Sequence, residues 1–288
     1  MPDIAYVNGA YLPLAEARVS ILDRGFLFAD GVYEVAAVIG GRLIDNEAHL
    51  SRLENSLREL RIESPLPMQT IADVENELVA RNGLNEGLVY LQITRGAAGE
   101  RDFGFPSGAT PTFIAFATKK NILASSAAET GVKVLTVPDM RWARRDIKSI
   151  ALLAQVLAKQ AALNADCQEA WMVDNDGFVT EGSSSTAFIL TKSDALVTRP
   201  NSTAILPGCT RKAVQSLAAR EGLTLEERSF SVTEAYDAKE AFLTSASNLV
   251  LPVVSIDGRP IGSGAPGARS RLLRALYIEW ATTPGAVR

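Results

Sequence analysis

Metal ligands are scarce in this 288-residue chain, which has one histidine (His49) and two cysteines (Cys167 and Cys209). The cysteines lie in unrelated contexts and form no CxxC pair. That excludes a redox motif or a disulfide framework and leaves too few ligands for a zinc-type centre. Long hydrophobic runs are also missing, so no segment has the length of a membrane span. The opening Met1-Pro2-Asp3-Ile4 has neither the basic flank nor the apolar stretch of a secretory leader. An excess of positive charge is absent as well: 29 Lys and Arg stand against 33 Asp and Glu, for a net charge of −4. That balance argues against nucleic acid or an anionic membrane as a partner. A reduced, cytoplasmic chain is the expectation.

What the chain does have is apolar mass, 47% of residues, with 22% charged. This suits a folded core rather than disorder. Asn8-Gly9 between Ile4–Val7 and Tyr11-Leu12 predicts a type I′ hairpin. Residues 31–39 read as a strand. A helix opening near Asp45 carries Leu50, Leu53, Leu57 and Leu60 at helical spacing. Further strands are expected at 88–94, 112–117, 132–137, 169–173 and 187–190, with helices over 71–81, 148–164, 208–222 and 269–281. Residues 121–131 are small and polar and read as a junction. The expected division is an N-terminal α+β domain over 1–120, a linker over 121–131 and a C-terminal domain over 132–288. No regular βα alternation appears, which disfavours a doubly wound sheet.

Chemistry concentrates in a few stretches. Lys148, in Asp146-Ile147-Lys148-Ser149, opens an apolar run and is preceded by Arg141, Arg144 and Arg145. Cations crowding a lysine at a helix start lower its pKa, which favours imine formation. The plainer reading is a solvated lysine. Glu181 lies just past a turn in Thr180-Glu181-Gly182-Ser183-Ser184-Ser185. The serines offer donors that could cradle a phosphate, although many such turns bind nothing. A lysine amine can hold an aldehyde cofactor as a Schiff base, and a carboxylate can hold a pyridine nitrogen protonated. Together they point to pyridoxal phosphate chemistry. Arg52 lies beside the buried stripe of its helix and is either a cleft residue or a snorkelling surface arginine. Leu206-Pro207-Gly208-Cys209-Thr210-Arg211 is a helix entry whose amides, with the Thr210 hydroxyl, suit an anion. His49, though the only histidine, is assigned no catalytic role.

These separate signals line up in order along almost the whole chain. The runs are Asp23-Arg24-Gly25-Phe26, Ala29-Asp30-Gly31-Val32-Tyr33-Glu34-Val35, His49-Leu50-Ser51-Arg52-Leu53, Thr94-Arg95-Gly96, Asp146-Ile147-Lys148-Ser149, Ala158-Lys159-Gln160, Thr180-Glu181-Gly182-Ser183-Ser184-Ser185, Leu206-Pro207-Gly208-Cys209-Thr210-Arg211 and Thr244-Ser245-Ala246-Ser247. As a set they resemble the fold-type IV pyridoxal-phosphate aminotransferases, most closely the D-amino acid (D-alanine) aminotransferases. The resemblance implies a two-domain α+β / α/β chain of fold type IV, with a barrel-like sheet in the C-terminal domain and the cofactor between the domains. It implies that Lys148 binds pyridoxal 5′-phosphate and moves the substrate proton, and that Glu181 pairs with the pyridine nitrogen. Arg52, Ser183, Cys209, Thr210, Ser245 and Ala246 would contact the cofactor, with Leu206 against one ring face. Tyr33 would line the substrate pocket. The implied partners are amino donors, 2-oxo acids and a second copy of the chain in a homodimer.

One stretch departs from the pattern. The D-amino acid enzymes carry an Arg-X-His segment, supplied by the partner subunit, which binds the substrate carboxylate. Here it reads Arg101-Asp102-Phe103. Phenylalanine cannot donate a hydrogen bond, a loss on the order of 1–3 kcal/mol toward a charged group. Carboxylate binding is then expected to be weakened or rebuilt, with Arg24 as a candidate substitute. The implied activity is transfer from D-alanine to 2-oxoglutarate. (R)-selective amine transamination, branched-chain L-amino acid transamination and aminodeoxychorismate lysis are the competing reactions. A binding protein that has lost catalysis is the non-enzyme alternative.

Overall fold

The computed structural model describes residues 3–283. The chain divides into two units, one of Met1–Asn121 with Ile147–Ala151 and one of Ile122–Asp146 with Leu152–Arg288. Met1-Pro2 and the last five residues of the expected C-terminal domain, 284–288, lie outside the described residues.

The first unit opens with β1 (Ile4–Val7) and β2 (Ala10–Pro13), joined at Asn8 and Gly9. Their φ values of 47° and 100° are the left-handed pair that the tight turn requires. Then come α1 (Arg24–Phe28), β3 (Gly31–Ile39), β4 (Arg42–Leu43), α2 (Asn46–Leu60), α3 (Met68–Arg81), β5 (Glu86–Thr94) and β6 (Thr112–Lys119). The sheet runs β2-β1-β6-β5-β3-β4, and every pairing is antiparallel. Side chains alternate along β3: Val32, Glu34, Ala36 and Val38 are buried, whereas Tyr33 and Val35 are half-buried. Val32 packs with Leu53 and Leu57 of α2 and Ile71 and Leu78 of α3.

Asp30 ties this unit together. Its carboxylate accepts from Arg24 Nε at 2.7 Å and Arg95 Nε at 2.8 Å. Arg95 also donates to the carbonyls of Leu60 and Arg61, both at 2.8 Å, satisfying acceptors at the end of α2. Arg24 donates to the carbonyls of Asp102, Phe103 and Gly104.

The second unit holds α4 (Ser126–Thr130), β7 (Val132–Pro138), α5 (Leu153–Asn164), β8 (Glu169–Val173), β9 (Val179–Gly182), β10 (Thr186–Leu190), β11 (Ala195–Thr198), α6 (Cys209–Arg220), β12 (Thr224–Glu227), α7 (Val232–Tyr236), β13 (Glu240–Ser245), β14 (Leu249–Ile256), β15 (Arg259–Pro260) and α8 (Ala268–Thr282). Its sheet is mixed, with the path β12-β11-β10-β13-β14-β7-β8-β9 and β15 on β14. Among the described residues the strand pairing is an open path with β12 at one end and β9 at the other. Trp171, Phe230, Val134, Leu243 and Val253 fill the core.

Two expectations need correction. The 121–131 stretch is not a bare linker, because it contains α4, whose Ala128 joins that core. The lysine-bearing run is not helical from Lys148: α5 starts at Leu153, and Ile147–Ala151 is a bent segment of the first unit, with Ser149 bridging Val32 of β3. Backbone pairing with β3 outweighs the helical preference of the local sequence. Among the described residues, no helix is long and apolar enough to cross a membrane.

Burial alone would raise the pKa of Asp30, but Arg95 and Arg24 hold it below the ordinary value. A depressed carboxylate pKa stabilises the fold above the unfolded-state pKa, and the gain fades as pH falls through the folded-state value. Asp30→Asn should therefore lower the unfolding free energy by about 3 kcal/mol at pH 7. The gap to wild type should close on acidification below about pH 4. Urea unfolding across that range checks this, and a gap independent of pH would contradict it.

Candidate active site

Gly31 lets the chain carrying Lys148 lie against β3. A Cβ at Gly31 would stand 2.8 Å from the Ile93 carbonyl oxygen and 3.1 Å from Ile150 Cδ1. The Tyr33 amide donates to the Lys148 carbonyl at 3.0 Å, and the Ile150 amide to the Gly31 carbonyl at 3.1 Å. Ser56 of α2 accepts from the Lys148 amide at 3.2 Å. Lys148 is thus clamped through its backbone while its side chain stays half-buried, with Nζ 4.2 Å from the centre of the Tyr33 ring. The arginines expected to crowd it are matched to acids: Arg141 and Arg145 to Asp139, and Arg144 to Asp146.

Arg52 of α2 is gripped by Glu34 of β3, with Nε at 2.8 Å from one carboxylate oxygen and Nη2 at 2.7 Å from the other. His49 Nδ1 lies 2.7 Å from the same carboxylate. Burial pushes the Glu34 pKa up, but Arg52 and His49 together bring it down to about 2. Nearby Glu75 accepts from Asn46 at 2.9 Å and is pushed by burial up to about 7. His49 therefore serves the arginine's anchor, consistent with a residue that shapes the site.

Glu181 lies within β9 and is 4% exposed. It accepts from the Leu206 amide at 3.1 Å and from the Arg141 guanidinium. Arg141 is in turn fixed by Asp139, from Nε at 2.9 Å and Nη2 at 2.7 Å, and Thr180 donates to Asp139 at 2.7 Å. Burial raises the pKa of Glu181 above the usual carboxylate range, while Arg141 and the Leu206 amide restrain the rise. The result is an oriented acid whose charged form is sustained by Arg141 and the Leu206 amide.

Anion-binding features cluster elsewhere in the same unit. Thr210 is buried in the first turn of α6, whose N-cap Gly208 offers no side-chain cap. First-turn amides have no intrahelical acceptor. The connection from β13 to β14 is Ala246-Ser247-Asn248, and the Thr244 hydroxyl just before it is buried without a hydrogen-bond partner. The serines after Glu181 are used otherwise. Ser183 and Ser185 donate their hydroxyls to buried Glu169, and the Ser183 amide donates to the Ala170 carbonyl at 3.0 Å. Both polar donors of Ser183, expected to contact the cofactor, are thus engaged within the protein. A buried carboxylate must be satisfied, and these donors satisfy it.

In the first unit, Arg101 lies over the rings of Phe28, at 5.0 Å, and Phe103, at 5.6 Å. Phe103 itself is 76% exposed. Arg24 is buried, and its donors go to Asp30 and the loop carbonyls at 102–104. Arg24, expected as a candidate carboxylate ligand, thus has its donors on Asp30 and on the loop that carries Phe103.

A family profile described as Amino-transferase class IV matches residues 31–256. The chain belongs to the class IV aminotransferases. It is 40% identical to a D-alanine aminotransferase of Bacillus licheniformis over 90% of each chain. It is 35% identical to one from Staphylococcus aureus strain MSSA476, over 95% of this chain and 97% of that one. Among solved structures, a branched-chain amino acid aminotransferase of T.th., crystallised with pyridoxamine 5′-phosphate, superimposes with a TM-score of 0.92 at 25% identity. That match covers 99% of this chain and 96% of that one. The Escherichia coli branched-chain enzyme, at 21% identity, also gives 0.92 over 99% and 98%. The fold is therefore type IV.

This class IV aminotransferase works with pyridoxal 5′-phosphate, and its residues fit that group. Within the first unit an amine is held over an aromatic ring; within the second, taken by itself, a buried acid is backed by arginine, and a helix start without a side-chain cap accompanies a polar turn. Sequence reasoning missed Asp139 and the pairing of Arg141 with Glu181, since residues forty apart carry no spacing signal. It also missed Glu34 as the anchor of Arg52, although Glu34 lies in one of the matching runs.

Removing the cation should strand the buried acid. Arg141→Gln is expected to cost about 3 kcal/mol of stability. Adding Glu181→Gln should recover part of that loss, the remainder belonging to Asp139, as measured by urea unfolding at neutral pH. A double variant no more stable than the single one would refute the coupling.

Proposed function

We propose that this aminotransferase acts on D-amino acids, with D-alanine and 2-oxoglutarate giving pyruvate and D-glutamate in a ping-pong cycle. The observation that carries this is the 40% identity to a D-alanine aminotransferase over 90% of both chains, against 25% to the branched-chain structure. Bound pyridoxal phosphate supplies the electron sink that stabilises negative charge at the substrate Cα. Lys148 Nζ holds the cofactor aldehyde and, once released, moves the proton at Cα. Glu181 accepts from the pyridine N–H, with Arg141 and the Leu206 amide fixing the carboxylate. Arg52, Thr210, the Cys209 amide and the Ser245-Ala246 turn hold the phosphate. The Leu206 side chain packs on one ring face, and Tyr33 lines the substrate pocket.

Arg101 and Phe103 belong to the carboxylate-binding end of the pocket, contributed by the partner subunit of a homodimer. Support for self-association comes from α5, which leaves Leu153 and Leu157 72% and 62% exposed. A second reading, (R)-selective amine transamination, is favoured by one observation. Phe103 and Phe28, with ring centres 5.2 Å apart, offer an apolar wall where a histidine would have bound a carboxylate.

The test is a half-reaction panel of D-alanine, D-glutamate, L-leucine and (R)-1-phenylethylamine, followed by loss of cofactor absorbance. D-alanine and D-glutamate should react fastest, and L-leucine reacting faster than both would overturn the proposal. Phe103→His should tighten D-alanine binding by about tenfold. No change would remove Phe103 from the carboxylate pocket.

A further inference from the structure

Arg274 of α8 is 8% exposed, and no acid is paired with it among the described residues. A buried guanidinium without a carboxylate is unusual. Its four acceptors are all backbone carbonyls. Nη1 donates to Asn248 at 2.7 Å and Val250 at 2.9 Å, and Nη2 donates to Ile122 at 2.7 Å and Leu123 at 3.3 Å. Burial alone accounts for the lowering of its pKa, because no charged neighbour contributes.

The two Nη1 acceptors flank Leu249, a buried residue with φ of 57°. Leucine pays a steric cost in the left-handed region, and such a conformation persists only where its surroundings enforce it. Leu249 pairs with Ser245 and closes the turn Ser245-Ala246-Ser247-Asn248. One helical turn along the same face of α8, buried Tyr277 interacts with Thr210 in the first turn of α6. A single face of α8 thus reaches both the β13–β14 turn and the start of α6.

We infer that Arg274 is a positioning residue for the cofactor phosphate: by bridging the carbonyls on either side of Leu249 it holds the 245–248 turn in its anion-binding shape and places a buried, acid-free cation beneath it. The inference rests on the reading that the phosphate sits at that turn and at Thr210. Arg274 does not touch the cofactor. Its contribution is preorganised backbone together with the field of an uncompensated charge, both of which act on the phosphate dianion and leave the ring untouched.

The experiment titrates apo-enzyme with pyridoxal 5′-phosphate and with pyridoxal, which lacks the phosphate, by absorbance. It compares wild type with Arg274→Lys, Arg274→Met, Thr210→Ala and Ser245→Ala. Both Arg274 variants should weaken pyridoxal 5′-phosphate by about tenfold or more while pyridoxal changes by less than about twofold, with Arg274→Lys the milder if charge contributes. Equal weakening of both ligands, or of neither, overturns the inference. If Thr210→Ala and Ser245→Ala leave pyridoxal 5′-phosphate binding unchanged, the phosphate reading itself fails. If they weaken it selectively and the Arg274 variants do not, only the role of Arg274 fails. Should the Arg274 variants not fold, hydrogen exchange on wild-type apo-enzyme decides. The 247–250 amides should be protected before any phosphate is added, and protection that appears only on adding inorganic phosphate overturns preorganisation.

Discussion

The ion pair between Glu181 and Arg141 is what allows a carboxylate to sit inside β9 with almost no water around it. An isolated ionised acid in that position would take up a proton or unfold the strand. Asp139 holds the Nε–Nη2 edge of the Arg141 guanidinium and leaves Nη1 for Glu181, and Arg141 and the Thr180 hydroxyl lower the Asp139 pKa in return. The chain of contacts carries orientation as well as charge. With the Leu206 amide on the same oxygen as Arg141, Glu181 presents its carboxylate in one direction.

The same constraint organises the first unit. Glu34 and Asp30 are acids withdrawn from water, and each recruits arginines through paired hydrogen bonds. Arginines that look like ligand-binding residues in one dimension are therefore partly spoken for. Arg24 is absorbed by Asp30 and the loop it shapes, and Arg52 is aimed by Glu34. The serines after Glu181 follow the same logic, closing on Glu169. What a ligand meets is shaped by which polar groups the protein has already satisfied within itself.

Strand and hairpin positions were largely legible, because alternation along β3 and the Asn8-Gly9 turn are local signals with local causes. So was the family, through the ordered runs of residues. The state of the Lys148 segment was not legible. Its apolar spacing reads as the start of a helix, yet Gly31 and Ser149 pull it alongside β3. The units do divide between Asn121 and Ile122, but α4 within 121–131 was not legible, since small residues that suit a linker also suit a short helix packed on the core.

By itself, the sequence determined the family and the cofactor, because those depend on which residue types stand in which order. Only the tertiary structure decided how the charges are partnered: Arg141 with Glu181, Glu34 with Arg52, Arg274 with four carbonyls. Partner choice depends on burial and on approach between residues far apart in the chain. In the interior an unmatched charge is so costly that the fold as a whole selects its partner, and no local spacing records that selection.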